Sequence, residues 1–349
     1  MKPLYLQTHY PVLQNKVYAS TEAAINCLYG EIEIVEDELT GLIYNNAFIP
    51  ELMIYDAEYQ NEQALSPYFQ NHLSSVAKLI ERHMGKNLLI EVGCGKGYFL
   101  ELLADQGFDI SGFDPAYEGN NPRIQKQLFT QNLLRKSQGL ILRHVLEHIQ
   151  HPVEFLHAMK EANQGEGTIY IEVPCFDWIC QHRAWFDIFY EHVNYFRLSD
   201  FHRMFSNIKS CGRLFGGQYL YVIADLSSLR SPKINPDDRV AFPENFYQVQ
   251  VPSNSMLEPQ TSIWGGSSKG VIFALLQSRA GFPVSNVIDI NPVKQGMHIP
   301  GTGLRVLSPV EALVKIPKKS VIFVMNGNYL EEIKQMSANE FKYIAIDHS

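Results

Sequence analysis

A short apolar strand that runs into a glycine-rich turn and then a helix constrains this chain more than any other feature. Leu88–Val92 has the composition of a buried strand, Gly93–Gly97 follows it directly, and Tyr98–Gln106 has helical spacing. Glycines allow tight turns and close approach of a ligand, and the free N–H groups at a helix start bind polar ligand atoms. Residues 88–119 are therefore predicted to form a cradle for a nucleotide-type cofactor.

The end of the next strand narrows the choice of cofactor. The strand Phe108–Phe113 ends at Asp114 and Pro115, and a carboxylate at this place can accept hydrogen bonds from both hydroxyls of a ribose. A dinucleotide fingerprint requires the spacing Gly-x-Gly-x-x-Gly. In this chain the third glycine is Gly97, and Tyr98 takes the dinucleotide position. The pattern disfavours a nicotinamide oxidoreductase and favours S-adenosylmethionine.

Strands continue to alternate with helices along the chain, and this order predicts a parallel α/β sheet. Further strands are predicted at Gly139–Leu142, Thr168–Val173, Gln218–Asp225, Thr261–Trp264, Val287–Ile290, Ser320–Met325 and Tyr343–Ile346. Helices are predicted at Ser74–Met84, Pro152–Ala162, Val271–Ser278 and Tyr329–Gln335, and a hairpin joins Glu31–Val35 to Gly41–Tyr44.

The predicted fold class is α/β, with a Rossmann-like cofactor-binding sheet followed by a second, smaller Rossmann-like domain. The predicted divisions are a short β/helical extension over residues 1–70, a cofactor-binding domain over 71–228, a linker over 229–260 and a C-terminal α/β domain over 261–349. The linker is rich in serine, proline and asparagine, which are typical of irregular connections.

Composition excludes several classes of function. The 349 residues include 29 basic and 37 acidic ones, a net charge of -8, which disfavours broad binding to nucleic acid. No apolar run approaches the ~20 residues that span a bilayer, and the first ten residues lack the apolar core of a signal peptide. The five cysteines are scattered without a Cys-x-x-Cys pair, so we expect free thiols, a cytoplasmic protein and no cysteine-based zinc site.

Two interpretations are open for the segment that follows the strand Gly139–Leu142. His144, Glu147 and His148 have the spacing His-x-x-Glu-His of some zinc peptidases, and on a helix the two histidines would share a face. However, a loop that directly follows a strand of the cofactor sheet is also expected to line the cofactor pocket. We favour pocket lining and predict no metal, and for Glu147 and His148 individually a solvated helix N-terminus is a further interpretation.

The segment from Trp185 to Phe196 is dense in aromatic residues, which indicates a buried core or lid. Within it, Glu191 and His192 are an adjacent acid and imidazole in an apolar setting. Such a pair is a candidate for acid–base chemistry, although an ion-paired structural histidine is the simpler interpretation.

A second glycine-rich turn begins the C-terminal alternation. Gly265–Gly270 has the sequence Gly-Gly-Ser-Ser-Lys-Gly, and Asp289 lies at the end of the next strand. Small residues, a lysine and a helix start can hold an anion. The spacing differs from that of a P-loop.

The glycine motif and the terminal acid of the second strand resemble those of class I S-adenosylmethionine-dependent methyltransferases. The downstream order of aromatic Glu-His segment, Gly-Gly-Ser-Ser-Lys-Gly turn and Asn326 after a strand resembles the sugar C-methyltransferases, which act on nucleotide-linked keto-deoxysugars. The resemblance implies three groups of site residues. The cofactor would be bound by Glu91, Gly93, Cys94, Gly95, Gly97, Asp114, Pro115, Arg143 and His144, the substrate by Ser268, Lys269, Asn326 and Tyr195, and proton removal would fall to Glu191 and His192 with Tyr190.

Two positions depart from that family. Its N-terminal zinc site uses paired cysteines, whereas Cys27 is the only cysteine in the first fifty residues here. The family also has a tyrosine two residues before the Glu-His pair, where this chain has Phe189, with Tyr190 beside it. Phenylalanine cannot carry a proton, so either Glu191 and His192 suffice, a nearby tyrosine substitutes, or the acceptor differs.

The sequence thus predicts a methyltransferase that uses S-adenosylmethionine on a small acceptor, a nucleotide sugar being the leading candidate. Methyl transfer to oxygen or nitrogen is the first alternative, because such acceptors demand less of a base. A cofactor-binding protein without turnover is the second. We expect no nucleic-acid or membrane partner, and either a monomer or a homodimer.

Overall fold

The computed structural model describes residues 2–54, 59–60, 65–129, 136–248 and 261–347. Its strands are β1 Tyr5–Pro11, β2 Tyr29–Glu36, β3 Ile43–Asn45, β4 Leu89–Val92, β5 Ile110–Phe113, β6 Ile124–Gln125, β7 Gly139–Arg143, β8 Thr168–Pro174, β9 Asn194–Tyr195, β10 Ile208–Leu214, β11 Tyr219–Asp225, β12 Ser262–Trp264, β13 Asn286–Ile288, β14 Val306–Leu307, β15 Val321–Val324 and β16 Lys342–Ala345. Its α-helices are α1 Thr21–Ile25, α2 Pro67–Met84, α3 Tyr98–Asp105, α4 Pro152–Ala162, α5 Phe176–Gln181, α6 Leu198–Met204, α7 Ser268–Arg279, α8 Pro309–Lys315 and α9 Leu330–Met336.

The central sheet has seven strands in the order β10-β11-β8-β7-β4-β5-β6. The strands from β6 to β8 are parallel, and β11 is antiparallel to both of its neighbours. The chain runs outward from β4 through β5 to β6 and then returns to β7 on the other side of β4. A ligand site is expected outside the carboxyl ends of the strands at this reversal. The predicted mixed α/β fold with a parallel sheet is confirmed.

Helix α2, which packs under the central sheet, begins seven residues before the predicted Ser74. Ser66 caps the helix, because its hydroxyl accepts a hydrogen bond from the backbone N–H of Phe69 at 3.3 Å. Pro67 occupies the first turn, where its missing N–H costs nothing. The apolar spacing used for the prediction starts only after this cap.

The N-terminal sheet has the order β1-β2-β3-β9. The predicted hairpin is confirmed, with Ile34 opposite Asn45 in an antiparallel register. Strand β9 pairs with β3 although it lies about 150 residues further along the chain, and sequence spacing gave no sign of this pairing. The pairing attaches the N-terminal residues to the aromatic segment that holds Glu191 and His192.

The C-terminal sheet is a second, entirely parallel sheet of five strands in the order β14-β13-β12-β15-β16. The order in which the chain adds strands also reverses here, between β12 and β15. The predicted loop Gly265–Gly270 is shorter than expected, since Ser268 already begins α7. A Cβ on Gly270 would overlap the carbonyl oxygen of Gly265, so glycine is required for this tight entry into the helix.

One hydrophobic cluster joins all three sheets. It includes Ile34 of β2, Leu142 of β7 and Phe323 of β15. The described part of the predicted linker, residues 229–248, packs against this core through Phe246, while residues 249–260 lie outside the described residues. The predicted domain divisions stay predictions. Every helix within the described ranges is too short or too polar to cross a membrane.

Candidate active site

A cleft of about 430 Å³ lies where the central and C-terminal sheets meet. Gly93 and Gly95 of the first glycine turn line one side, and Gly265, Ser267 and Asn326 line the other. These residues follow β4, β12 and β15, so the carboxyl ends of the parallel strands in both sheets face the same space. The volume lies within the range of about 300–1,000 Å³ that is typical of ligand pockets.

The first glycine turn has a conformation that few other residues adopt. Gly93, Gly95 and Gly97 all have positive φ angles, of 73°, 54° and 85°. A Cβ on Gly93 would lie 2.5 Å from Val145, and one on Gly97 would lie 2.5 Å from Ile124, whereas nothing lies within 4 Å of a Cβ on Gly95. The open space at Gly95 lies where a ligand of the cleft would approach the backbone.

Asp114 is placed at the end of β5, as predicted, beside this turn. Its Oδ2 accepts a hydrogen bond from the N–H of Gly95 at 2.7 Å, and its Oδ1 accepts one from Ala116 at 2.8 Å. Asp114 is half-buried, Pro115 is exposed, and neither they nor Gly97 line the cleft. Gly97 instead precedes the first turn of α3. A ribose would have to reach Asp114 at the rim of the cleft.

Glu91 supplies a buried acidic group that faces the cleft. It is 3% exposed, and its Oε2 has no hydrogen-bond partner among the described residues. Burial raises the pKa of Glu91 to about 8. The positive charge of Arg143 lowers this pKa, whereas the negative charge of Asp114 raises it further. An unpartnered carboxyl oxygen beside open glycine backbone fits the amino and sulfonium end of S-adenosylmethionine.

A carboxylate that the sequence did not single out organises the neighbouring wall. Glu172, at the end of β8, is fully buried and accepts hydrogen bonds from His72 at 3.0 Å and from Arg143 at 3.2 Å. Burial alone would raise the pKa of Glu172, but the charge of Arg143, the neighbouring His144 and the hydrogen bond from His72 hold it well below its usual range. Arg143 also lies 4.4 Å above the ring of Phe99.

His144 and His148 do not share a helical face. Only Leu146–His148 form a short 3-10 turn, and His144 has a positive φ of 52°. His144 Nδ1 lies 3.2 Å from Glu147 and its Nε2 lies 3.2 Å from Glu172, the latter without hydrogen-bond geometry. Burial lowers the pKa of His144, but these two carboxylates outweigh it and raise the pKa to about 9. This geometry disfavours the zinc-peptidase interpretation.

Glu191 and His192 both line the cleft, but their side chains serve different contacts. The carboxylate of Glu191 accepts hydrogen bonds from the backbone N–H groups of Gln14 at 2.6 Å and Asn15 at 3.2 Å, and from the Tyr59 hydroxyl. The His192 ring packs against Phe189 at 4.0 Å between ring centroids. Burial and nearby cationic groups hold the pKa of His192 well below its usual value.

Two tyrosines predicted in the site lie elsewhere. Tyr190 is fully buried, and its hydroxyl accepts a hydrogen bond from the N–H of Ile49 at 2.8 Å. Tyr195 is also buried, and its hydroxyl donates to the carbonyl of Phe189 at 3.1 Å. Neither side chain lines the cleft. The predictions that Tyr190 is catalytic and that Tyr195 binds substrate are corrected, because both side chains complete the core around β3 and β9.

The predicted substrate residues of the C-terminal sheet do reach the cleft. Lys269 forms an ion pair with Asp187 at 3.0 Å and donates to Gln218 at 3.0 Å. Asn326 exchanges two hydrogen bonds with the same Gln218 amide, at 2.9 and 3.0 Å. The Ser268 hydroxyl accepts a bond from Asn15 at 2.9 Å. These three residues are thus linked to one another or to the N-terminal segment.

Several cleft residues were given no role at the level of sequence, although Asp289 was noted at the end of its strand. Asn15, Asp187 and Asp289 line it, and Gln218 supports it from behind. Asp289 had a recognisable signal, since it ends a strand as Asp114 does, and its Oδ2 accepts from Gly266 at 2.8 Å. No sequence pattern marks Asn15, because its position in the cleft depends on the fold of the whole N-terminal segment.

The doubly wound sheet brings the glycine turn and the acid Asp114 together at the carboxyl ends of β4 and β5. Residues 65–208 match the family model described as a methyltransferase domain. This match covers less than half of the chain, and it supports the predicted methyltransferase activity and the predicted cofactor, S-adenosylmethionine.

Partial likenesses to solved structures were also found. The magnesium protoporphyrin IX methyltransferase of Synechocystis PCC 6803, with bound SAH, is 18% identical over 45% of this chain and 82% of that one, with a TM-score of 0.34. The 1,6-didemethyltoxoflavin-N1-methyltransferase of Burkholderia thailandensis is 13% identical over 53% of this chain and 95% of that one, with a TM-score of 0.36. A comparison with curated proteins found no match.

Proposed function

We propose that this enzyme transfers a methyl group to the carbon beside the ketone of a nucleotide-linked keto-sugar. The observation that supports the proposal is the shared cleft, into which two parallel sheets direct their carboxyl ends. One sheet contributes the cofactor cradle at Gly93–Gly97. The other contributes a second ligand-binding edge at the reversal between β12 and β15, where open α/β sheets bind ligands.

The second edge has the chemistry for a phosphate-bearing acceptor. The backbone of Gly265–Ser267 leads into the twelve-residue helix α7, and the first N–H groups of a helix can bind an anion. Lys269 in that first turn is a cation at the cleft, and its partners Asp187 and Gln218 hold it in position. We propose that Lys269, Ser268 and Asn326 contact the acceptor and its phosphates.

Carbon methylation requires removal of a proton, and we propose His192 as its acceptor. The ring lines the cleft and has a pKa well below its usual value, so it is unprotonated at neutral pH. Glu191 acts as a positioning residue, since its carboxylate holds residues 14 and 15 and its carbonyl oxygen accepts from His148 Nδ1 at 2.7 Å. S-adenosylmethionine supplies an electrophilic methyl group when bound, and the cleft aligns the acceptor with it.

The substitution His192→Ala tests this assignment. In deuterated water, the enzyme with S-adenosylhomocysteine should exchange the proton beside the ketone of a nucleotide-linked keto-sugar, and the variant should lose both exchange and turnover. Affinity for S-adenosylhomocysteine, measured by calorimetry, should stay close to that of the parent protein because His192 lies outside the glycine turn. Unchanged exchange in the variant would remove His192 from the mechanism.

Methyl transfer to oxygen or nitrogen is the second candidate, and Phe189 is the observation that favours it. Its ring lies in the cleft against His192 and carries no proton, in the place of the family's tyrosine. The two candidates differ in product. A methyl carbon bonded to carbon has a chemical shift far from that of one bonded to oxygen or nitrogen, so a product made with labelled methyl groups decides between them by NMR.

A further inference from the structure

Three potential metal ligands converge in the cleft from two separate parts of the chain. The donor atoms of Glu147, His148 and His192 all lie within 4.8 Å of one another. Glu147 and His192 are buried and His148 is half-buried. All three residues line the cleft, so an ion could reach them. This set differs from the His144, Glu147 and His148 combination that the sequence suggested, because His144 turns towards Glu172.

The hydrogen bond of His148 determines which of its nitrogens is available. Its Nδ1 lies 2.7 Å from the carbonyl oxygen of Glu191. A carbonyl oxygen only accepts, so Nδ1 carries a proton, and in the neutral ring Nε2 then presents the lone pair. A ring N–H bonded to a backbone carbonyl is the usual support of a metal-binding histidine.

Glu147 has a free oxygen in the same place. Its side chain is 1% exposed, its Oε1 lies 3.2 Å from His144 Nδ1, and its Oε2 has no hydrogen-bond partner in the described part of the chain. A buried carboxylate oxygen without a partner is costly unless a ligand completes it. The contact with His144 orients the carboxylate and leaves Oε2 as the potential ligand.

The ring of His192 completes the set. It lies 4.9 Å from the ring of His148 between centroids, and the described residues provide no hydrogen-bond partner for its nitrogens. A neutral imidazole is the form that binds metal. Nearby cationic charge is offset, because Lys269 pairs with Asp187 and His144 lies between two carboxylates.

We propose that Glu147, His148 and His192 form a binding site for one divalent transition-metal ion inside the cleft. Two imidazoles and one carboxylate favour zinc, cobalt or nickel over magnesium or calcium, which prefer oxygen ligands. Metal–nitrogen distances of about 2.0–2.1 Å require the donor atoms to move together by side-chain rotation. Three protein ligands leave coordination positions open to the cleft.

The site has a consequence for catalysis, which rests on the proposed function. An ion on His192 occupies the lone pair that the proposed base needs for the proton of the acceptor. The loaded enzyme is therefore inhibited at the proton-removal step, while the glycine turn and cofactor binding stay unaffected. Occupancy by zinc would make methyl transfer respond to the available concentration of this ion.

Cobalt binding to the metal-stripped full chain tests the site without any acceptor. Addition of Co²⁺ should produce the visible absorption of a low-coordinate complex at a one-to-one ratio, and Zn²⁺ should abolish it. Glu147→Gln and His148→Ala should each weaken binding at least tenfold, while His202→Ala, which removes an exposed histidine elsewhere, should not. Two substitutions are used because Glu147 is buried, and circular dichroism verifies folding. Equal affinity in folded His148→Ala and the parent protein would overturn the proposal.

Inhibition is measured separately, so that failure of the two proposals can be distinguished. Zinc should suppress exchange of the acceptor proton at the concentrations at which it displaces cobalt, and a chelator should restore it. Affinity for S-adenosylhomocysteine should not change. Stimulation of exchange by zinc would overturn the inhibitory role. If no keto-sugar is turned over at all, the proposed function fails, and the cobalt titration still decides whether the site exists.

Discussion

At the scale of single residues, two buried glutamates near the cofactor cradle show opposite effects of their surroundings. Glu172 has Arg143 and two histidines around it, so the charged form is stabilised and its pKa is held low. Glu91 is equally buried but has an oxygen without a partner, and its pKa is raised to about 8. Burial therefore favours the neutral form only where hydrogen bonds and opposite charge do not compensate.

The substitution Glu91→Gln should stabilise the cofactor-free protein in a pH-dependent way. In the folded state the pKa of Glu91 is about 8, above its ordinary value of 4.5. Between these pH values the folded chain binds more protons than the unfolded chain, so the stability of the parent protein falls as pH rises and levels off above pH 8.

The stabilisation by glutamine should therefore be small near pH 5 and grow towards pH 8, to an order of magnitude of a few kcal/mol. Urea unfolding at both pH values measures it, with the parent chain as the reference. An equal stabilisation by Glu91→Gln at the two pH values would contradict the raised pKa of Glu91.

At the scale of secondary structure elements, short segments with special backbone geometry direct the site residues. Gly93–Gly97 turns the chain from β4 into α3, and Gly265–Ser267 turns it from β12 into α7. In both places the turn lies at the carboxyl end of a parallel strand. Gly270 lets α7 start directly behind its turn, and this brings Lys269 to the cleft.

Gly270→Ala should destabilise the protein although alanine is the better helix former. The added Cβ would overlap a backbone carbonyl, which cannot move aside as a flexible side chain can. We expect a loss of about 1–3 kcal/mol from overpacking, larger than the gain in helix propensity. Ser278→Ala, on the exposed side of the same helix, is the matched control and should change stability by about 0.5 kcal/mol or less. Unfolding by urea compares them, and equal values would show that α7 shifts without cost.

At the scale of the whole molecule, the aromatic segment from Trp185 to Phe196 holds the three sheets together. Strand β9 pairs with the N-terminal sheet, and Trp185 stacks on Phe273 of α7 at 5.6 Å between ring centroids. The carboxylate of Glu191 holds Gln14 and Asn15 against the cleft. The same segment therefore supports the site and connects the sheets that form it.

Trp185→Ala should lower the free energy of unfolding by about 3–5 kcal/mol, because Trp185 is 1% exposed and its removal leaves a cavity between the sheets. Leu39→Ala serves as control, since Leu39 is 79% exposed and its removal leaves no cavity. Guanidinium unfolding should be monitored by circular dichroism. If the C-terminal sheet unfolded separately in the variant, two unfolding transitions would replace one. A free energy of unfolding equal to that of the control variant would refute the role of Trp185.

Much of the fold could be predicted from local sequence. Strand β4, the glycine turn and α3 are each specified by residues within a span of about twenty, so apolar spacing and glycine chemistry suffice. The parallel order of the strands follows because helices alternate with them. The start of α2 was placed late, since a cap at Ser66 precedes the first apolar repeat. Strand β1 was missed because polar residues interrupt its apolar ones.

The sequence by itself determined the glycine turn between β4 and α3 and indicated the class of enzyme, because these depend on neighbouring residues. Only the tertiary structure decided which side chains share the cleft. It brought His192 to His148 and Asn15 to Glu191, and it placed Tyr190 and Tyr195 in the core. Contacts between residues far apart along the chain follow from how whole sheets pack, and a packed core admits each side chain in one place only.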